Sequence, residues 1–414
     1  MKSRVLFLLL SCILLGCTNE TIPLKVERQK PKSSSQIVSA KAKSVEFVSN
    51  FIAKTRANYN QVRVHDIVCF TTDSLAKLLG AYSITSTRVS TGRNTPDTLF
   101  YVVNLADSKG YTLVSPYDKE EPILAYIENG NFSIDSISKN NGFKTFIANV
   151  KEPDINLRPS DRIDDNHERD GGRNHYPDHF SVIKPLLVTR WNQKSYNQYC
   201  NNFLTGCVPT AMAQIVSYLG YPSKANWNDG GQWRSFDINW EAVRQEARES
   251  AGVNILYRNQ ISLLMRYLGW LFGTEYSTDG SSTNSKDAIL RMRMIGCSVS
   301  NFSDYHVEDV VRELRNNNII FMRGYGRYYH VWFGFRKYVD GHAWVVDGCI
   351  DEMKNGKQYY YVHCNWGWGY SQNGYYRSDI LNADPGTKPV YNDSVVKTRG
   401  QNFRYKLETA TFRK

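Results

Sequence analysis

Apolar residues at Val208, Ala211, Met212, Ile215, Val216 and Leu219 recur at the i, i+3, i+4, i+7 spacing of a helix with one buried stripe. The pattern predicts a helix that starts at or just before Cys207. Gly206 allows a tight turn into it, and Pro209 fits only a first turn, where backbone N–H groups lack intrahelical partners. Gly220 and Pro222 stop it. The same period predicts a helix over 41–55 along Val45, Phe47, Val48, Phe51 and Ile52. It predicts another over 255–271, with Ile261, Leu264, Met265 and Leu268 on one face, and a third near 287–294. Short β-type runs predict strands at 99–104, 110–115 and 123–126, then at 319–322, 331–335, 343–347 and 359–363. The segment 327–339 predicts an added hairpin, and 278–283 a loop bordering a cleft.

Between the two halves the material changes. Residues 151–180 carry Pro153, Pro159, Pro177, Gly171 and Gly172 among many charged and amide side chains, which predicts an exposed linker open to cutting. The expected organisation is a folded unit over 41–150, this linker, and a second unit over 181–414. At the N-terminus, Lys2 and Arg4 precede an apolar run from Val5 to Leu15 that is too short to span a bilayer and predicts a signal peptide over 1–16. The ending Leu14-Leu15-Gly16-Cys17 resembles a bacterial lipobox, which implies lipidation of Cys17 and a polar tether over 17–40. The expectation is an exported protein anchored at an outer membrane or cell surface and released on maturation.

The formal net charge is +11, from 51 Lys and Arg against 40 Asp and Glu, but the basic residues are scattered among acids. No basic block or interleaved motif suggests nucleic acid as a partner. The Cys and His residues lack paired close spacing and no His-Glu-x-x-His occurs, so no metal site is expected.

Chemistry concentrates in three segments. In Thr205-Gly206-Cys207-Val208-Pro209-Thr210 a thiol stands at the positive end of a helix dipole, a place that favours thiolate. A free thiol of pKa ~8.5 is only a few per cent ionised at neutral pH, so a cysteine nucleophile also needs an imidazole beside it. Gly341-His342-Ala343-Trp344-Val345-Val346-Asp347-Gly348 offers His342 at the start of a strand. In Val362-His363-Cys364-Asn365-Trp366-Gly367-Trp368-Gly369-Tyr370, Asn365 is the candidate that accepts the imidazole N–H, and Trp366 the cover that shields that bond. His363 shares a strand face with Asn365 and is the alternative base. Cys69, Cys200, Cys297, Cys349 and Cys364 are read as ordinary buried cysteines, with Cys200 near enough to Cys207 for a disulfide to be considered.

In this order the three motifs resemble the streptopain family of papain-fold cysteine peptidases, over roughly residues 181–380, and Trp191-Asn192-Gln193 with Tyr196-Asn197 resembles the start of that catalytic domain. The separation of Cys207 from His342 falls within the ~130–150 residues of papain-like pairs. The resemblance implies an α+β fold: a papain-like domain with a helical part and an antiparallel sheet part, behind a smaller α+β propeptide. It implies a cysteine endopeptidase acting on protein or peptide substrates, made as a zymogen, needing no cofactor, with Cys207 as nucleophile, His342 as general base and acid, Asn365 as orienter and Trp366 as its cover. Pro209 stands where the family usually has alanine. The papain pattern puts an oxyanion glutamine six residues before the cysteine, where this chain has Asn201; Gln198 and Gln193 are the other amides in reach. Two other classes fit the same residues: a surface binding or inhibitory protein whose N-terminal unit occupies peptidase clefts, and a thiol acyltransferase.

Overall fold

The structure is a computed structural model that describes residues 34–55, 62–79, 98–118, 120–134, 142–143, 146–147, 150, 177–246, 255–278, 280–330, 336–381 and 405–414. The expected signal peptide, Cys17, most of the expected linker and the strand at 331–335 lie outside the described residues.

The N-terminal half opens with helix α1 (Ser34–Thr55), followed by β1 (Val64–Thr71), α2 (Thr72–Leu79), β2 (Thr98–Leu105), β3 (Tyr111–Val114) and β4 (Ile123–Ile127). The end of the expected 17–40 tether is thus helical. Its Ser and Gln residues disguise an apolar stripe, since Ile37 and Ala40 continue the face of Phe47, Val48, Phe51 and Ile52. Strand β2 is buried along nearly its whole length, and its alternate residues serve two cores. Tyr101, Val103 and Leu105 pack with α1, whereas Phe100 and Val102 pack with Phe143, Phe146 and Ile147 on the other face. Phe51 sits edge-on to Tyr126 and Tyr375 at centroid distances of 5.0 and 5.2 Å, and truncating such a ring to alanine costs about 3–5 kcal/mol.

The second half begins with β5 (His179–Ile183), which starts two residues inside the expected linker. Helix α3 (Cys207–Leu219) then leads to the β6–β7 hairpin (Lys224–Asp229, Gln232–Asp237), α4 (Trp240–Glu246), α5 (Ile255–Phe272) and α6 (Ser285–Met294). Val208, Met212, Ile215 and Val216 of α3 share a core with Ile261, Leu264, Met265 and Leu268 of α5, so both predicted stripes face each other. Short strands β8 (Ser298–Val299) and β9 (Ser303–Asp304) and helix α7 (Val307–Arg315) precede the long antiparallel strands β10 (Ile319–His330), β11 (Arg336–Lys354) and β12 (Lys357–Asn365). The chain ends with β13 (Gly374–Arg377), α8 (Ser378–Leu381) and β14 (Tyr405–Arg413). The predicted 343–347 strand is the middle of β11. The β10–β11 ladder continues outward to His330 opposite Arg336, which is the hairpin expected at 327–339.

One 12-stranded sheet unites both halves in the order β1-β2-β3-β4-β13-β12-β11-β10-β14-β8, with β5 also on β11 and β9 on β14. The seam between halves is β4 against β13, with Tyr375 opposite Tyr126. Among the described residues no helix is long and apolar enough to cross a membrane.

Candidate active site

Gly206 enters α3 with φ +93°, a conformation side chains other than glycine resist, and its carbonyl accepts hydrogen bonds from the Thr210 N–H at 3.1 Å and the Thr210 hydroxyl at 2.8 Å. Thr205 closes the same turn through its hydroxyl on Thr210 at 2.8 Å. Cys207 is therefore fixed on the first turn, and the 280–282 part of the expected loop lies against it, with Ser281 hydroxyl bonded to the Leu204 carbonyl. The sulfur has its own N–H, that of Val208 and that of Ala343 within hydrogen-bonding reach. Ala343 follows His342, so α3 brings the thiol to the strand position that carries the imidazole. Burial nevertheless outweighs these three N–H groups and pushes the Cys207 thiol above its usual value.

His342 is 6% exposed and lies opposite Gly324 in the β10–β11 ladder. Its ring stacks on Trp344 at 5.9 Å with an interplanar angle of 18°. Burial lowers the ring to about 4, against the opposing effect of its bond to the Trp366 carbonyl. Its Nε2–H donates to that carbonyl at 3.2 Å, and because a carbonyl only accepts, the proton of the neutral ring is on Nε2 and Nδ1 is the basic nitrogen.

Asn365, the residue expected to orient the imidazole, makes hydrogen bonds of its own. Its amide is engaged with Gln214: Asn365 Nδ2 donates to Gln214 Oε1 at 3.0 Å, and Gln214 Nε2 donates to Asn365 Oδ1 at 3.2 Å. Asn365 Nδ2 also donates to the Thr189 carbonyl at 3.0 Å, and the Gly367 N–H donates to Oδ1 at 3.3 Å. Gln214 lies two turns along α3 from Cys207 and accepts the Trp191 N–H at 3.1 Å. The amide pair is thus a bracket that ties the helix, the end of β12 and the 189–193 loop together. The His342 ring meets the backbone one residue further on, at the Trp366 carbonyl. Trp366 is 1% exposed, against Trp344 at 5.0 Å and Tyr376 at 5.4 Å.

The three amides considered for the oxyanion differ in place. Gln198 donates to Asn259 Oδ1 at 2.9 Å on the exposed surface, and Asn201 is exposed in a left-handed conformation with φ +53°. Gln193 is 5% exposed, and its carbonyl accepts the Thr205 N–H at 3.1 Å, which pins it beside the Cys207 turn. Asn201 and Gln198 face solvent and a surface helix because the 194–203 turns carry them outward.

His363 is occupied elsewhere. Asp347 is the unpaired residue of a bulge in β11, where Val346 pairs with Cys364 and Gly348 with His363. Its Oδ1 lies 2.5 Å from His363 Nδ1, and its Oδ2 accepts the Leu187 N–H at 3.1 Å. His363 Nε2 faces Glu128 at 3.2 Å. Burial pulls the His363 ring down, but Asp347 and Glu128 outweigh it and hold the ring at about 9. All six described cysteines are free thiols; Cys200 bonds the Tyr276 hydroxyl at 3.5 Å.

The N-terminal half reaches this region directly. Gly142 lies so close to the Trp366 indole that an added Cβ would stand 2.2 Å from Cε3, and Phe143 and Phe146 meet Tyr376 at 5.9 and 4.8 Å. Among the described residues no group of three or more His, Cys, Asp or Glu side chains forms a candidate metal site.

Residues 189–376 match the model of the Peptidase C10 family, and residues 35–153 match that of the Spi protease inhibitor. The chain is 26% identical to streptopain of Streptococcus pyogenes over 343 residues, covering 71% of this chain and 77% of that protein. It is 24% identical to the thiol protease/hemagglutinin PrtT of Porphyromonas gingivalis over 344 residues, covering 70% of this chain and 35% of that protein. A prointerpain A fragment from Prevotella intermedia aligns with a TM-score of 0.46 at 21% identity, covering 78% of this chain and 97% of the fragment. With the C10 match over the site and the inhibitor match over the half that packs on it, the chain is a cysteine peptidase similar to streptopain, with an N-terminal half similar to its propeptide-type inhibitor.

Proposed function

We propose that the protein is an endopeptidase made as a lipid-anchored zymogen, in which Cys207 is the nucleophile and His342 the general base and acid. The observation that carries this reading is the convergence at the first turn of α3. The Cys207 sulfur reaches the backbone of Ala343, next to an imidazole whose Nε2–H is committed to the Trp366 carbonyl. His342 Nδ1 then takes the thiol proton as sulfur attacks the peptide carbonyl. The oxyanion rests on the Cys207 N–H and the Gln193 amide, supported by the burial of Gln193 and its tie to Thr205. The imidazolium gives its proton to the leaving amine, and water, activated by the same ring, releases the acyl group.

With the propeptide in place, burial pushes the thiol up and the imidazole down to about 4, so the resting pair is neutral. Withdrawal of the propeptide and entry of solvent would let the thiolate–imidazolium pair form. The anchor at Cys17 is supported by the short apolar run and its Leu14-Leu15-Gly16-Cys17 ending, and cutting within 151–180 would release the catalytic half from the membrane. Cys207→Ala tests the centre of the reading. That variant is expected to fold, to be exported and to lose casein hydrolysis; retention of a tenth of the activity would remove Cys207 from the mechanism.

A further inference from the structure

The loop between β3 and β4 is folded on its own account. Ser115 Oγ accepts the N–H groups of Tyr117 and Asp118 at 3.1 Å each, and Asp118 Oδ1 accepts those of Glu120 and Glu121 at 3.2 and 3.1 Å. The Ser115 N–H closes the loop on the Pro122 carbonyl at 2.7 Å. These bonds hold three carboxylates in a fixed projection, and all three meet the other half of the molecule. Glu121, 1% exposed, accepts the Tyr361 hydroxyl at 2.8 Å and Lys354 Nζ at 3.1 Å. Asp118 and the Glu121 carbonyl receive Arg377 Nη1 at 2.9 and 2.6 Å, and Glu120 pairs with Lys357.

The receiving residues stand at the start of β12 (Lys357) and its middle (Tyr361), the adjoining end of β11 (Lys354) and the end of β13 (Arg377). Lys357 and Asn365 bound a strand of nine residues, about 26 Å apart at ~3.3 Å per residue. The lysines of this seat are therefore far from the Asn365 end of β12, and Tyr361 lies about 13 Å from it. The seat is chemically built: a buried tyrosine, a mostly buried arginine and two lysines converge on one acidic turn. Salt screens the rim pair Glu120–Lys357, at 54% exposure on both sides, far more than it screens Glu121.

We propose that Asp118, Glu120 and Glu121, between β3 and β4, form an acidic hook, and that Lys354, Lys357, Tyr361 and Arg377 form its receptor, a seat that sets how firmly the propeptide stays on the catalytic half. The partner class is an acidic turn with carboxylates in the Asp118, Glu120 and Glu121 positions. This rests on the reading of the N-terminal half as a removable propeptide, but its test does not depend on processing.

Hydrogen–deuterium exchange on the full chain carrying Cys207→Ala reads the seam directly. Glu121→Gln keeps the size of the side chain and removes its charge; Lys354→Met keeps the stem. Each is expected to speed exchange in β4 and β13 by about tenfold while leaving α3 unchanged, and the double variant to exchange no faster than either single one. Raising salt to ~0.5 M is expected to speed the same strands in the parent chain. Unchanged rates at β4 and β13, or effects of the two substitutions that simply add, would overturn the hook. A parent chain with Cys207 intact that is cut without gaining activity would instead sink the zymogen reading and leave the hook standing.

Discussion

At Asn365 the amide meets a partner that the sequence does not show. An asparagine two residues after a strand histidine, next to tryptophan, has the right chemistry to orient an imidazole. What the sequence lacks is the competitor, because Gln214 faces it only after α3 has folded against β12. The signal was present as a glutamine within a helix whose apolar stripe predicts burial, beside Thr210 and Ser217, since a buried amide demands a partner. Asn365→Ala and Gln214→Ala should each cost about 1–3 kcal/mol by leaving the other amide unsatisfied, and together little more than one of them. Urea denaturation of the two single variants and the double one measures this. If Asn365→Ala abolished turnover as fully as His342→Ala with stability intact, the amide would belong to the imidazole after all. The titration of the site gives a second prediction. His342 is lowered to about 4, so its neutral form contributes stability that is present above the ordinary histidine value and lost as pH falls through about 4. Cys207 in the unprocessed chain should accordingly react slowly with iodoacetamide at pH 6, and quickly once the propeptide has gone. Equal rates before and after would mean that burial does not govern the pair.

Among the elements, those with a clean period were legible and those that mix surfaces were not. Helices α1, α3, α5 and α6 follow from their stripes, and β2, β3 and β4 from β-branched and aromatic runs. Strand β14 was missed because Leu407 serves one core, Ala410 and Phe412 serve another, and Glu408 is buried against Arg323 at 2.6 Å. A buried strand that carries a paired charge does not look apolar. The packing of α1 supplies a pH prediction. Glu352 lies near Glu121, Glu46, Lys354 and Lys43, and burial first, then the charge of Glu121, pushes it up to about 7. A raised carboxyl contributes stability below its ordinary value that is lost as pH rises through about 7. Docking of the propeptide should therefore weaken as pH rises from the ordinary carboxyl range to about 7 and change little above it, and Glu352→Gln should flatten that dependence. Limited proteolysis across pH would show it, and an unchanged profile would exclude Glu352 as the cause.

At the scale of the whole molecule, two units expected to be separate share one sheet. Hydropathy marks strands but not which edges meet, and the β4–β13 pairing depends on Gly374, where an added Cβ would stand 2.3 Å from the Tyr126 carbonyl oxygen. Gly374→Ala should part the halves without touching Cys207 or His342, so full-length protein should be cut faster within 151–180; an unaltered rate would show that the seam does not limit access. N-terminal sequencing of the soluble product should find β5 retained, since it pairs with β11 from Cys349 to Met353. A start beyond Ile183 would refute this. The shared sheet also means that departure of the propeptide bares the β13 edge, with its backbone N–H and C=O groups and the ring faces of Tyr375 and Tyr376 newly wetted. An uncovered edge invites a strand from any neighbour, including a second copy of the same enzyme. Under the proposed maturation, the margin that the precursor covers would be left open, and self-association of the catalytic half would be expected to rise as it becomes active.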